Sequence, residues 1–187
     1  MTILFKGSTT AMITPFKNDS NRDVDYDALG KFIDWQIEQG THGLLPCGTT
    51  GESPTITHDE HNEVIAFTIK QAAGRVPVMA GTGSNSTREA ISMSVEAEKA
   101  GADAVLIVSP YYNKPTQQGL YLHYKAINDA IGIPLIIYNI PGRSVVNIED
   151  DTLKRLIELE NIKGIKDATG DLSRIDAIKP HLPEDFI

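Results

Sequence analysis

Short apolar runs that read as strands recur along the chain at residues 9–14, 43–46, 77–81, 104–108, 133–138 and 162–166, with starts 27 to 34 residues apart. Between them the period changes from strand to helix. Tyr26, Leu29, Phe32, Ile33 and Ile37 form one apolar stripe, and His61, Val64, Ile65, Thr68 and Ala72 form the next. Each helix has its punctuation. Asp25 is placed to cap the first, and Thr57 with Glu60, and Ser86 with Glu89, have capping-box spacing. Gly40, Gly74, Gly101 and Gly132 stand where helices should stop.

Six strand-then-helix units in series, with strands apolar on both faces, predict a parallel sheet covered by helices. Such a sheet is either doubly wound or closed into a barrel. A doubly wound nucleotide-binding sheet carries a glycine fingerprint after its first strand, and the segment from Thr14 to Ser20 has none, which favours the barrel. Gly81-Thr-Gly83-Ser-Asn-Ser86 holds only the first two glycines of that fingerprint and reads as a tight turn before a helix. A complete (β/α)8 TIM barrel needs about 250 residues. The expectation is therefore one domain over residues 1–187, an incomplete barrel covering about the first six βα units. The C-terminal barrel strands and helical region would be absent, and residues 183–187 read as a loop entering a seventh strand.

Composition narrows the partners. With 41% hydrophobic residues in 187, the chain can bury one sizeable core. Seventeen Lys and Arg against 25 Asp and Glu give a net charge of −8, and no basic run is present, so nucleic acid is not an expected partner. Residues 1–6 are too short for a signal peptide and no apolar stretch reaches membrane-span length, so no membrane partner and a cytoplasmic location are expected. The single cysteine, Cys47, excludes an intramolecular disulfide and reads as a buried thiol. His58 and His61 have i, i+3 spacing but no third ligand of suitable spacing, so no metal is expected and they read as the polar first turn of a helix.

In a parallel barrel the carboxyl ends of the strands share one face, and the turns that follow them build a single site. Those turns hold the unusual sequence. Lys166 ends the sixth apolar run: it is either a Schiff-base nucleophile whose amine is kept neutral by burial, or a solvated lysine closing a strand. Tyr138 ends the fifth run, where neighbouring strands about 5 Å apart bring a phenol within reach of that amine. It is either the proton carrier that imine formation needs or a tyrosine packed in the barrel mouth. Thr49 and Thr50, between glycines after the second strand, supply hydroxyl and N–H donors suited to a carboxylate and a proton relay. Arg143 can fork onto a second carboxylate or remain solvated. Tyr111 and Tyr112 either pack their loop or present a hydroxyl.

Gly48-Thr-Thr-Gly-Glu-Ser53, Pro110-Tyr-Tyr-Asn113, Tyr138-Asn-Ile-Pro-Gly-Arg143 and Gly164-Ile-Lys-Asp-Ala-Thr-Gly170 together resemble the 4-hydroxy-tetrahydrodipicolinate synthase family, formerly dihydrodipicolinate synthase. That family sits among the pyruvate-dependent lyases with N-acetylneuraminate lyase. The resemblance runs along essentially the whole chain. It implies that Lys166 forms a Schiff base with pyruvate, and that Tyr138, Thr49 and Tyr112 relay protons. Thr50 would hold the pyruvate carboxylate, and Tyr112 would come across a tight dimer interface, making a homo-oligomer part of the site. Arg143 would bind the carboxylate of L-aspartate 4-semialdehyde, which the pyruvate enamine attacks on the diaminopimelate route to lysine. No metal or organic cofactor is implied.

N-acetylneuraminate lyases typically carry Ser-Thr in the first motif and lack the arginine, so Thr50 and Arg143 favour the synthase over a sugar-acid aldolase. In lysine-inhibited members, L-lysine is bound by residues matching Ser53, His58, His61, Asn85, Glu89 and Tyr111, with Pro54 here in place of a frequent alanine. Family members continue through two more strands and a helical region, which leaves a non-catalytic fragment as the alternative reading.

Overall fold

In the computed structural model, which describes residues 5–187, strand and helix alternate from one end to the other. Residues 1–4, most of the short apolar opening segment, lie outside the described residues. The order is β1 (Thr9–Ala11), α1 (Tyr26–Glu38), β2 (Gly43–Leu45), α2 (His58–Ala72), β3 (Met79–Gly81), α3 (Thr87–Ala100) and β4 (Ala104–Val108), followed by α4 (Gln117–Asn128) and β5 (Leu135–Asn139). Then come α5 (Pro141–Ser144), α6 (Asp150–Leu156), β6 (Ile162–Asp167) and α7 (Ser173–Ile178). All six expected strands form. β3 and β5 begin two residues later than their apolar runs, because Pro77 and Pro134 at their entries have no N–H to give to a ladder.

The chain divides into two compact units, residues 5–81 with 96–104, and residues 82–95 with 105–187. In the first, β1 and β2 pair in parallel with Thr9 opposite Gly43 and Ala11 opposite Leu45, and an isolated parallel bridge joins Leu44 to Val78. Its core gathers Met12, Leu29, Ile33, Leu44 and Ile65, all fully buried, with the stripes of α1 and α2 turned inward as their period requires. In the second, β4, β5 and β6 lie side by side in parallel, Val105 opposite Leu135 and Tyr138 opposite Lys166. Val105, Leu106, Ile107, Leu135, Ile136 and Ile137 are buried on both faces of this sheet, as the unbroken apolar runs foretell.

The seventh strand expected after residue 183 is not formed among the described residues, where only Ile187 bonds back to β6. The Ile187 N–H donates to the Lys163 carbonyl (2.9 Å) and the Ile187 carbonyl accepts from Ile165 N–H (2.8 Å). Gly164 lies between those two bonds, and a Cβ there would stand 2.7 Å from the Ile187 carbonyl oxygen and 2.9 Å from Ile136 Cδ1.

Two of the three predicted caps form as read: Asp25 accepts from Ala28 N–H, and Thr57 with Glu60 makes a full capping box. The third forms by half. Ser86 Oγ accepts from Glu89 N–H (3.4 Å), but the Glu89 carboxylate accepts from Ser84 Oγ (2.7 Å) instead of returning to Ser86, whose own N–H donates to the same Ser84 hydroxyl (3.1 Å). Gly132 is not a helix stop, since α4 ends at Asn128 and the left-handed glycines that follow helices are Gly40, Gly74 and Gly101. The turn reading of Gly81 and Gly83 also needs correction. Neither is left-handed; a Cβ on Gly81 would strike the Cys47 carbonyl and one on Gly83 the Val108 N–H, so both glycines permit close backbone approach. Cys47 is buried, and burial pushes its thiol up to about 12.

Candidate active site

The carboxyl ends of β5 and β6 bring together two of the residues singled out in the sequence. Tyr138 and Lys166 are register partners, so both side chains leave the same face of adjacent strands, and Lys166 Nζ stands 4.3 Å from the centre of the Tyr138 ring. At that distance the ammonium is held by the ring face. Tyr138 is buried, and its carbonyl accepts from Ser109 N–H (3.0 Å) and Ser109 Oγ (3.4 Å). Behind Ser109, the fully buried Tyr124 hydroxyl lies 3.2 Å from Ser109 Oγ and donates to the Ile107 carbonyl (3.1 Å), while burial raises its pKa. These bonds fix the strand end that presents Tyr138. No sequence pattern marks Ser109 or Tyr124 for this task.

Lys166 itself is exposed, as in the solvated reading of a lysine closing a strand and against the burial that the nucleophile reading expected. β5 flanks β6 along its length, pairing Tyr138 with Lys166 and Asn139 with Asp167.

After β5 the chain turns through α5, where Ser144 Oγ bonds the Ile140 and Val146 carbonyls (2.9 and 3.0 Å) and thereby fixes the turn that carries exposed Arg143. The next residue, Val145, is left-handed at φ 65° and 60% exposed, an unfavourable conformation for a β-branched side chain. Asn139, at the end of β5, reaches Asn147 Oδ1 (2.8 Å) and accepts from Ile148 N–H (3.1 Å). A cleft of about 680 Å³ opens beside this segment, lined in part by Asn147, Glu149, Asp150, Thr169, Asp171 and Arg174. Neither Lys166 nor Arg143 lines it.

The loop after β4 presents the two tyrosines differently. Tyr111 is half-buried and its carbonyl accepts from Asn85 Nδ2 (3.2 Å), while Asn113 Nδ2 donates back to the Asn85 carbonyl (3.1 Å). Tyr112 is 86% exposed and left-handed at φ 74°. Asn85 and Tyr111 are therefore joined directly, with Glu89 held through Ser84 nearby in sequence.

In the first unit, Thr49 and Thr50 are exposed on a turn closed by Gly51 N–H to the Gly48 carbonyl (3.0 Å) and pinned by Thr14 Oγ1 to the Gly51 carbonyl (2.7 Å). Ser53 begins a short 3-10 turn and His58 is exposed at the start of α2. His61 is buried with Nε2 2.8 Å from the Gly81 carbonyl oxygen and Nδ1 without a hydrogen-bond partner. Burial pushes its pKa down, against a smaller opposing pull from the Gly81 carbonyl.

Helix-covered parallel strands, with an amine and a phenol registered at adjacent carboxyl ends, define an α/β protein with the makings of a strand-end site. The family follows from comparison with known proteins: the chain matches the dihydrodipicolinate synthetase family over residues 4–187, and it belongs to that family. It is 61% identical over 183 residues to the 4-hydroxy-tetrahydrodipicolinate synthase of Rhodopseudomonas palustris (strain BisA53), covering 98% of this chain and 61% of that protein. The chloride-inhibited dihydrodipicolinate synthase of Acinetobacter baumannii, solved with pyruvate, is 52% identical with a TM-score of 0.89 over 94% of this chain and 61% of that one. The enzyme of Cyanidioschyzon merolae, solved with lysine bound, is 39% identical with a TM-score of 0.94 over 98% of this chain and 62% of that one. The fold is thus that of a (β/α)8 TIM barrel over about its first six units, and the chain spans about 61% of the length of its curated relatives. No helix among the described residues is long and apolar enough to cross a membrane.

Proposed function

We propose that the chain carries the front part of a 4-hydroxy-tetrahydrodipicolinate synthase, which condenses pyruvate with L-aspartate 4-semialdehyde in the diaminopimelate route to lysine, in the cytoplasm. The observation that carries this reading is Lys166 Nζ 4.3 Å from the ring of Tyr138, its register partner, in a chain of this family. The Lys166 amine attacks C2 of pyruvate and water leaves to give the imine. A proton lost from C3 gives the enamine, whose C3 bonds to the aldehyde carbon of the semialdehyde; hydrolysis then frees the lysine and the product cyclises. Tyr138, Thr49 and Tyr112 move the protons, Thr50 holds the pyruvate carboxylate, and Arg143 forks onto the carboxylate of the second substrate.

An exposed tyrosine held at φ 74° supports a role for Tyr112 outside its own subunit, in a homo-oligomer whose partner copy receives it. L-lysine as feedback inhibitor would engage Ser53, His58, His61, Asn85, Glu89 and Tyr111. The chemistry runs on the lysine imine and calls on neither metal nor organic cofactor. Incubation with pyruvate and borohydride should leave a reduced adduct on Lys166. An adduct that forms equally well on Lys166→Ala sinks the assignment.

A further inference from the structure

Arg174 is buried to 9% exposure on α7, outside every motif that marks the site, yet its guanidinium ties together three segments of it. Nη1 donates to Asn147 Oδ1 (3.0 Å) and Nη2 to the Ile148 carbonyl (2.8 Å), with Asp150 Oδ1 3.2 Å away. On its other side Nε lies 3.5 Å from Asp167 Oδ2, directly after Lys166. Asn139 closes the ring, donating to Asn147 Oδ1 (2.8 Å) and lying 3.4 Å from Asp167 Oδ2. The guanidinium thus holds the segment after Arg143 by hydrogen bonds and the end of β6 by an ion pair alone, its Nε having no hydrogen-bond partner, while Asn139 links the end of β5 to both through Asn147 and Asp167. A buried guanidinium spanning two carboxylates is costly to desolvate, and a hydrophobic residue of similar volume would serve stability as well. Three of its four contacts fall on residues 147–150, only four to seven residues beyond Arg143.

We propose that Arg174 is a positioning residue for the second substrate: it anchors the segment that follows Arg143 and so fixes where the Arg143 guanidinium meets the semialdehyde carboxylate. The assignment rests on the condensation reading above. Lysine keeps the charge but not the fork, so it separates geometry from electrostatics.

The test is made on the full chain with three variants: Arg174→Lys, Asn147→Ala, which keeps the buried cation but removes the acceptor it shares with Asn139, and Arg143→Ala as reference. Three quantities are measured, namely borohydride-trapped pyruvate imine, KM for aspartate semialdehyde, and melting temperature. The expected result is a rise in semialdehyde KM of about tenfold in Arg174→Lys and Asn147→Ala, with imine trapping unchanged. If Arg143→Ala raises that KM while Arg174→Lys and Asn147→Ala leave it alone, the positioning role is wrong and the condensation reading survives. If Arg143→Ala itself leaves KM unchanged, the parent assignment fails and takes this one with it. Loss of imine and of semialdehyde efficiency in equal measure, in step with lowered melting temperature, makes Arg174 a structural residue only.

Discussion

Several residues beside the turns where chemistry is expected carry backbone strain, as do Arg22 and Ala73 away from them. Cys47 and Glu52 flank the Thr49-Thr50 turn in left-handed conformation, at φ 54° and 56°, and Tyr112 and Val145 do the same in the loops after β4 and β5. Val145 is the costliest type, since a β-branched side chain crowds the backbone there, and being 60% exposed it recovers little by packing. Val145→Gly should therefore raise stability by about 1 kcal/mol, read as a higher urea midpoint at unchanged slope. A lowered midpoint would mean that the isopropyl group holds the turn by contacts that outweigh its strain. At this scale the sequence was legible in part. The places of Tyr138 and Lys166 near strand ends and of Arg143 in a turn stand out because strand ends and turns are visible in the pattern. The Ser109–Tyr124 brace and the Arg174 network are not, since a serine, a tyrosine on an apolar stripe and a helix arginine look ordinary until folding brings them together.

Elements were more legible than their edges. Continuous apolar runs mark β2 to β5 because those strands are buried almost throughout, whereas β1 is half-buried and β6 alternates toward an exposed end, and Thr57 with Glu60 marks the start of α2 because both bonds are local in sequence. The box at Ser86 and Glu89 closes only on its serine side because Ser84, two residues earlier, offers a competing hydroxyl that spacing alone does not weigh. The backbone bonds of Ile187 to Lys163 and Ile165 were equally hidden, since no pattern in the sequence marks them. That pairing gives an element-scale prediction. Gly164→Ala would place Cβ 2.7 Å from the Ile187 carbonyl oxygen, and backbone cannot swing aside as a side chain can. The Ile187 ladder bonds should part, at a cost of about 1 to 3 kcal/mol, with faster amide exchange at Ile165 and Ile187. Unchanged exchange at both amides would show that the strands shift together to admit the methyl.

For the whole molecule, acid is the sharpest lever, because each compact unit buries one neutral histidine. His61 lies in the first and His123 in the second, where His123 Nδ1 sits 2.9 Å from Thr87 Oγ1, its ring stands edge-on to Tyr124, and Nε2 has no hydrogen-bond partner. Burial pushes His123 down to about 4 and moves His61 in the same direction. The sign follows from proton uptake: an unfolded histidine protonates near pH 6.5, whereas folded His123 waits until about 4. Between those values the unfolded chain binds more protons, so stability is whole above about pH 6.5, falls with acid, and levels off near 4. For His123 alone the loss reaches about 3 kcal/mol across the window. Over the same range the formal charge rises from −8 toward zero at a pI of about 5.0, which weakens mutual repulsion between chains. His123→Gln, which cannot take up a proton but can still bond Thr87, shares that charge change almost entirely and so isolates the histidine. Melting temperatures recorded from pH 7 to pH 4.5 should fall more steeply for the parent chain than for His123→Gln, the two curves converging as acid increases. Parallel curves would mean that His123 is protonated in the folded state at its ordinary pH, and that acid acts through net charge alone.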